Sequence, residues 1–212
     1  MAYDLEEQEQ LENLKAFWHK YGNFILTVVL VVALSWAGWR GWQWYQTNQS
    51  AQASQAYDQL REAAGAKDVG KVREAAGRIF ADYGGTAWAQ MAALVAADAY
   101  VEAGDAKAAK VPLQWAVENA RDPAFRDQAR LGLAAILLDE KAYDEALKLL
   151  AAPAEKSYAA AFADRRGDLL VAQGKPAEAR AAYQEALGLL GNDSALRRLV
   201  QIKLDAIGGG SA

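Results

Sequence analysis

The chain has 212 residues, of which 53% are hydrophobic and 24% are charged, and its formal net charge is −4. This near-neutral balance offers no electrostatic footprint for nucleic acid. The sequence has no cysteine and a single histidine, so it provides neither disulfides nor a metal site built from histidine and cysteine.

The first predicted element is an uncharged run of nineteen residues from Tyr21 to Trp39. As a helix this run reaches about 28 Å, close to the roughly 30 Å hydrocarbon core of a bilayer. Aromatic side chains, which collect at membrane interfaces, flank it: Phe17, Trp18 and Tyr21 at one end, and Trp36, Trp39, Trp42, Trp44 and Tyr45 at the other. The pattern predicts one transmembrane helix over 21–45, with His19 packed at the interface.

A cleavable signal peptide is the alternative interpretation of this segment. Its apolar region would have about 7 to 15 residues and end at a small-residue cleavage site, whereas this run is longer and ends in tryptophans. Lys15 and Lys20 precede the run, and Arg40 follows it. Because basic residues are more frequent on the cytoplasmic side, this balance favours a cytoplasmic tail or helix at 1–20.

The rest of the chain predicts helices, because it is rich in helix-forming residues and its apolar positions repeat every three to four residues. Turn signals separate helices of about ten to eighteen residues. These signals are Gly65 to Gly70, Gly84-Gly85, Gly104-Asp105, Asp122-Pro123, Asp139 to Ala142, Pro153, Gly174-Lys175-Pro176 and Gly191-Asn192-Asp193. The residues at 208–212 are expected to form a flexible tail.

The helices fall into pairs, most clearly between Tyr158 and Leu187, where two helices fold about Gly174. This pair resembles a tetratricopeptide repeat. In that family a small residue of the first helix lets the second helix approach closely, and the matching positions here are Gly167, Ala179, Tyr183 and Ala186. Ala146 of the preceding pair lies thirty-three residues before Ala179, close to the expected period of about thirty-four.

The predicted fold is therefore all-α: an N-terminal transmembrane helix and, over 46–207, a tetratricopeptide-like solenoid of three to four helix pairs with a C-terminal capping helix. Two prolines depart from the repeat pattern, Pro112 inside a second helix and Pro153 at a packing position, and we expect irregular packing there. Ser194 is expected to cap the last helix. The apolar stripe of that helix is Leu196, Leu199, Val200, Leu204 and Ile207.

The sequence contains few candidate catalytic or ligand-binding residues. We find no Gly-rich phosphate loop and no serine or threonine beside a base in a recognisable motif. The carboxylates lie on predicted helix exteriors, where capping and solvation explain them, and the segment Asp164-Arg165-Arg166-Gly167-Asp168 is interpreted as an ion-paired helix surface. We therefore expect no enzyme activity and no cofactor.

Repeats of this kind provide a surface for binding other proteins, since the first helix of each pair lines the concave side of the solenoid. The repeat register predicts that groove-facing positions are Met91, Leu94, Asp98, Val101, Leu131, Ala135, Leu138, Asp164, Asp168 and Val171. This candidate groove has a mainly apolar floor and an acidic far end. The alternative is that a neighbouring helix or the C-terminal cap already covers these residues.

An acidic N-terminal helix, one aromatic-bordered span near residue 30 and a C-terminal array of degenerate repeats together resemble the ancillary SecYEG translocon subunit family, the YfgM-like proteins of bacteria. The resemblance covers nearly the whole chain. It implies a single-pass anchor in the inner membrane, a periplasmic repeat domain and association with the SecYEG channel and the membrane-anchored chaperone PpiD.

Three hypotheses for function follow. The favoured one is an adaptor at the translocon that assists handover of secreted or envelope proteins, as unfolded or emerging clients, to periplasmic chaperones. The second is a scaffold for another envelope assembly, such as division or outer-membrane biogenesis. A membrane-tethered hydrolase is the third, and the sequence lacks residues to support it.

Overall fold

The computed structural model describes the backbone of residues 2–209 and the side chains of residues 9–208. Over this part of the chain the secondary structure is helical, without strands, which confirms the predicted fold class. The helices are α1 (Ala2–Gly65), α2 (Val69–Tyr83), α3 (Ala87–Glu102), α4 (Ala106–Asn119), α5 (Pro123–Asp139), α6 (Tyr143–Leu149), α7 (Ala159–Ala172), α8 (Pro176–Leu189) and α9 (Ala195–Leu204).

The chain divides into two compact units, residues 1–49 and residues 50–212. In the first unit the apolar side chains of α1 are exposed; Leu34 is 64% and Trp36 66% accessible. Among the described helices, α1 is the one that is long and apolar enough to cross a membrane. Because only 6% of its apolar stretch is buried, it differs from the core helix of a soluble protein.

In the second unit the helices end where the sequence signals predict. Aspartates begin three of them: the carboxylates of Asp68, Asp105 and Asp122 accept hydrogen bonds from backbone amides of the first turns of α2, α4 and α5. At the ends of α3 and α7 the chain turns through Gly104 and Gly174, whose φ angles of 76° and 74° favour glycine.

Helices that are neighbours in sequence pack against one another, and three pairs follow in order: α3 with α4, α5 with α6, and α7 with α8. The last turns of α1 contribute Ala53, Ala56 and Leu60 to the same core as α2 and α3. Alanine dominates this core, which lets the helix backbones approach closely. A second, smaller cluster lies around Tyr183, Val200 and Leu204, where α9 closes the end of the array.

The α5–α6 pair is irregular around Pro153, where the sequence predicts irregular packing, but its second helix is shorter than expected. α6 has only seven residues, shorter than the expected ten to eighteen, and an irregular segment follows it as far as a 3-10 turn at Lys156–Tyr158. Pro153 lies in this segment. Since proline fixes its own φ and disfavours helical geometry in the residue before it, the second helix of the pair cannot continue through this position.

As the repeat register predicts, Pro112 lies inside the second helix of its pair: α4 continues through it, and the proline is buried. Two expectations for α9 need correction. Ser194 stands at the N-cap of α9, but its side chain makes no capping hydrogen bond, and Leu199 of the predicted apolar stripe is 49% exposed. After α9, a final turn spans Asp205–Gly209. Residues 210–212 of the predicted flexible tail lie outside the described residues.

Gly167 lies where α7 and α8, the helices of the last pair, approach each other closely. A Cβ atom added there would overlap the ring of Tyr183, whose Cζ would be 2.8 Å away. Tyr183 is 2% exposed, so its ring has little room to move. The other predicted packing residues, Ala146, Ala179 and Ala186, are completely buried.

Candidate protein-binding groove

The first helices of the three pairs lie side by side, since α5 packs against both α3 and α7. The apolar half of the candidate groove comes from α3 and α5. Four of its side chains, Met91, Leu94, Leu131 and Leu138, are half-buried and pack against the core from its outer side. Ala135 is also half-buried. This half therefore presents partly accessible apolar atoms to solvent.

The ends of the first helices are more open. Val101, near the end of α3, is 54% exposed, and Val171, near the end of α7, is 39% exposed. Asp98 is exposed on α3, one turn before Val101. Partial desolvation, followed by the neighbouring charge of Glu102, raises the pKa of the Asp98 carboxyl above its ordinary value.

The acidic end of the groove is covered. Lys203, on the capping helix α9, donates to both carboxylates: its Nζ lies 2.8 Å from Asp164 Oδ1 and 2.9 Å from Asp168 Oδ2. Asp164 is 7% exposed. Arg165 Nη1 lies 3.6 Å from Asp168 Oδ2 on the other side. The alternative interpretation, in which the C-terminal cap covers groove residues, thus describes this end of the groove.

Tyr183 joins the acidic end to the packing of the last pair. Its hydroxyl donates to Asp168 Oδ1 at 2.9 Å, and its ring lies 5.9 Å from Lys203 Nζ. Burial, the hydrogen bond to Asp168 and the two carboxylates raise the pKa of Tyr183. Burial also raises the pKa of Asp164, an effect that the hydrogen bond from Lys203 opposes and the charge of Asp168 reinforces.

Comparison with known proteins identifies the family. The family model for the tetratricopeptide repeat-like domain matches residues 15–209. The chain is 31% identical to the ancillary SecYEG translocon subunit of Neisseria gonorrhoeae (strain ATCC 700825 / FA 1090), over 98% of this chain and 100% of that protein. The chain belongs to the ancillary SecYEG translocon subunit family. A second relative with the same name, from Aggregatibacter actinomycetemcomitans, is 28% identical over 97% of this chain and 99% of its own length.

In this family member the structure reveals a polar contact that the sequence interpretation missed. Asp127 on α5 is completely buried. Its Oδ2 accepts a hydrogen bond from the Glu155 amide at 2.7 Å, and its Oδ1 lies 3.2 Å from Arg130 Nη1. Arg130 in turn reaches the Ala152 carbonyl at 3.4 Å. These contacts anchor the irregular segment around Pro153 to the first helix of its pair.

The sequence interpretation also missed Lys203 as the partner of Asp164 and Asp168, although the sequence carried a signal for Asp127 and for Lys203. Asp127 precedes Leu131 and Ala134 by four and seven residues, so it is an acid on an otherwise apolar helix face. Lys203 is likewise a charged residue beside an apolar stripe, formed by Val200, Leu204 and Ile207. A charged residue on the buried side of a helix requires a partner, and the carboxylates at 164 and 168 were candidates for Lys203.

The candidate groove has an apolar half on α3 and α5 and a closed acidic end on α7. At the closed end, both carboxylates are paired with Lys203. Within the described residues, no group of three histidine, aspartate or glutamate side chains could hold a metal ion. The apolar half is a surface of half-buried apolar side chains beside exposed Val101 and Asp98.

Proposed function

We propose that this chain is a membrane-anchored, non-enzymatic adaptor associated with the SecYEG translocon. The full-length similarity to the ancillary SecYEG translocon subunit of Neisseria gonorrhoeae carries this proposal, because it spans the apolar helix as well as the repeats. The relatives' name supplies the association, and the exposed apolar stretch of α1 supplies a means of holding the chain in the inner membrane.

The apolar half of the groove is the proposed contact surface for polypeptides. Met91, Leu94, Leu131 and Leu138 expose part of their side chains on adjacent first helices. Burying such surface under an apolar segment of an unfolded or emerging client is favourable by about 25 cal/mol per Å². The membrane anchor raises the local concentration of this surface beside the channel, so that a modest affinity for clients is enough for binding.

The proposed topology places residues 1–20 in the cytoplasm and the repeat domain in the periplasm. Lys15 and Lys20 before the span support this orientation. In that orientation the adaptor receives clients on the exit side of the channel and hands them to periplasmic chaperones, with the membrane-anchored chaperone PpiD as the proposed partner. Protease added to spheroplasts should then digest the repeats. If the repeats survive until the membrane is lysed, the proposed orientation is wrong.

The association is tested by affinity purification of the full chain from its native membrane in a mild detergent. We expect SecY and SecE to be recovered with the wild-type chain, and also with a variant carrying Leu94→Ser, Leu131→Ser and Leu138→Ser. Crosslinking of an emerging secretory chain should fall in that variant only. Recovery of a different envelope complex without channel subunits would refute the proposal and favour a scaffold.

A further inference from the structure

A second concave site lies away from the candidate groove, between the second helices α2 and α4. It is a cleft of about 510 Å³ whose walls are Gly77 and Phe80 on α2 and Val111 and Pro112 on α4. Tyr100 of α3 also contributes to its lining. None of these residues belongs to the groove set, so occupancy of the cleft and of the groove are separate questions.

The cleft exists because α2 and α4 both pack on α3 and meet each other through aromatic rings. The ring centroids of Phe80 and Trp115 are 4.5 Å apart with an interplanar angle of 16°. Gly77, one turn before Phe80, adds no side chain. A Cβ atom built there would meet no neighbouring element within 4 Å among the described residues. Phe80, held by this stacking, therefore borders an apolar gap between the two helices.

The charges that line the cleft are mainly positive. Arg73 of α2 and Lys107 of α4 both lie at its edge and are exposed. Neither takes part in an ion pair among the side chains of residues 9–208. The one carboxylate in the lining, Asp105, already accepts a hydrogen bond from the Ala108 amide at 2.9 Å as the cap of α4. Two cations thus remain available beside an apolar cavity.

The two cations favour a ligand that carries carboxylates. Whether this ligand is a small molecule or a protein segment depends on how open the cleft is. Val111 on its wall is 64% exposed. A free fatty acid bound there would leave much of its chain in water, whereas small-molecule sites enclose about 70 to 90% of their ligand. A protein segment needs only to insert one apolar side chain and can cover the open side with its own backbone.

We propose that the α2–α4 cleft binds an acidic segment of a partner protein, in which a bulky apolar side chain is flanked by carboxylates. The apolar side chain enters between Phe80 and Val111, over Gly77. The flanking carboxylates pair with Arg73 and Lys107, and the guanidinium of Arg73 can hold a carboxylate through two parallel hydrogen bonds. This site is independent of the adaptor role assigned to the groove.

The probe is the synthetic peptide Gly-Glu-Phe-Glu-Glu-Leu-Gly, titrated by calorimetry into the full chain in nanodiscs, with empty nanodiscs as background. We expect saturable binding at peptide concentrations below about 1 mM. The same peptide with lysine in place of each glutamate, and sodium octanoate, should show none. Absence of binding by the acidic peptide, equal binding of the lysine peptide, or displacement of the acidic peptide by octanoate would each overturn the proposal.

Two variants locate the binding. Gly77→Leu fills the cleft from its α2 wall and should weaken binding by about tenfold or more. Gly188→Leu is the matched control, because Gly188 is also a helical glycine whose added Cβ would meet no neighbouring element within 4 Å among the described residues, and it lies on α8 outside the cleft. This control should change affinity by less than about twofold.

The double variant Arg73→Glu and Lys107→Glu tests the charges without altering the apolar lining. The double variant should no longer bind the acidic peptide and should instead bind the lysine peptide. Circular dichroism of each variant checks that its helix content is unchanged. If Gly77→Leu proves misfolded, the charge-reversal result decides the proposal alone. Unchanged affinity in a folded Gly77→Leu or charge-reversed chain would refute it.

Discussion

The two ends of the candidate groove have the same origin in the repeats but different environments. At the α3–α5 end, Leu94 and Leu131 remain half-buried beside exposed side chains. At the α7 end, Asp164 is 7% exposed and, like Asp168, bonded to Lys203. The difference arises because α7 and α8 form the last pair, and α9 must cover them. A capping helix thus closes one end of a surface that the repeats alone would leave open.

The comparison also separates two kinds of residue. Side chains at the closed end hold helices together, so their substitution should alter the free energy of unfolding. Side chains at the open end are only partly packed, so their substitution should affect recognition more than stability. The four predictions below test this distinction, from the largest expected change in stability to the smallest.

Substitution of Gly167 by alanine should destabilise the domain by about 3 kcal/mol, since the added methyl group overlaps a buried tyrosine ring. Chemical denaturation of the full chain in detergent measures the effect. Gly188→Ala is the control, because a Cβ atom there would meet no neighbouring element within 4 Å among the described residues. Equal stability of the wild type and Gly167→Ala would contradict the observed approach of α7 and α8.

Replacing Lys203 by methionine should cost about 2 kcal/mol, because it leaves two neighbouring carboxylates without the ammonium group between them. The same denaturation experiment applies. Adding Asp164→Asn to the Lys203→Met chain should restore part of the loss, since only one carboxylate then remains at the site. If Lys203→Met is as stable as the wild type, the cap is held by Val200 and Leu204 alone.

At the open end, Leu131→Ser should cost only about 1 kcal/mol, because Leu131 is half-buried and its removal leaves no enclosed cavity. Crosslinking to an emerging apolar chain should nevertheless fall. Leu189→Ser is the control, since Leu189 is 54% exposed on α8 and lies outside the groove. Equal crosslinking by the two variants would move client recognition away from the α3–α5 surface.

The smallest expected effect is a pH dependence at the closed end. The pKa of Asp164 is raised in the folded chain, so its folded state binds a proton more tightly than the unfolded chain does. The contribution of this group to stability therefore increases as the pH falls from 7 towards its ordinary pKa of 3.8. The stability of the wild type minus that of Asp164→Asn should rise on acidification, and the opposite slope would contradict the raised pKa.

Much of the fold could be predicted because its determinants are local in sequence. Aspartates and glycines mark the helix ends, and the spacing of Gly167, Ala179, Tyr183 and Ala186 places two helices in contact. The segment after α6 could be predicted only in part. Pro153 signals a break there, but the hydrogen bond that attaches this segment to α5, from the Glu155 amide to Asp127, joins residues twenty-eight positions apart.

The candidate groove, too, could be predicted from the sequence only in part. Apolar periodicity in the sequence selected residues on the first helices, and the structure places Met91, Leu94, Leu131 and Leu138 at the edge of the core. The sequence left open whether the acidic residues face solvent. That depended on Lys203, which lies thirty-nine residues after Asp164 and reaches it only when α9 folds back over the last pair.

The sequence by itself determined the apolar segment, the helical class and the pairing of helices, because each depends on residues within a few turns of one another. The tertiary structure alone decided which parts of those helices are accessible. The half-buried leucines, the covered carboxylates and the cleft over Gly77 are each set by side chains from distant helices, whose approach is fixed by the packing of all the pairs together.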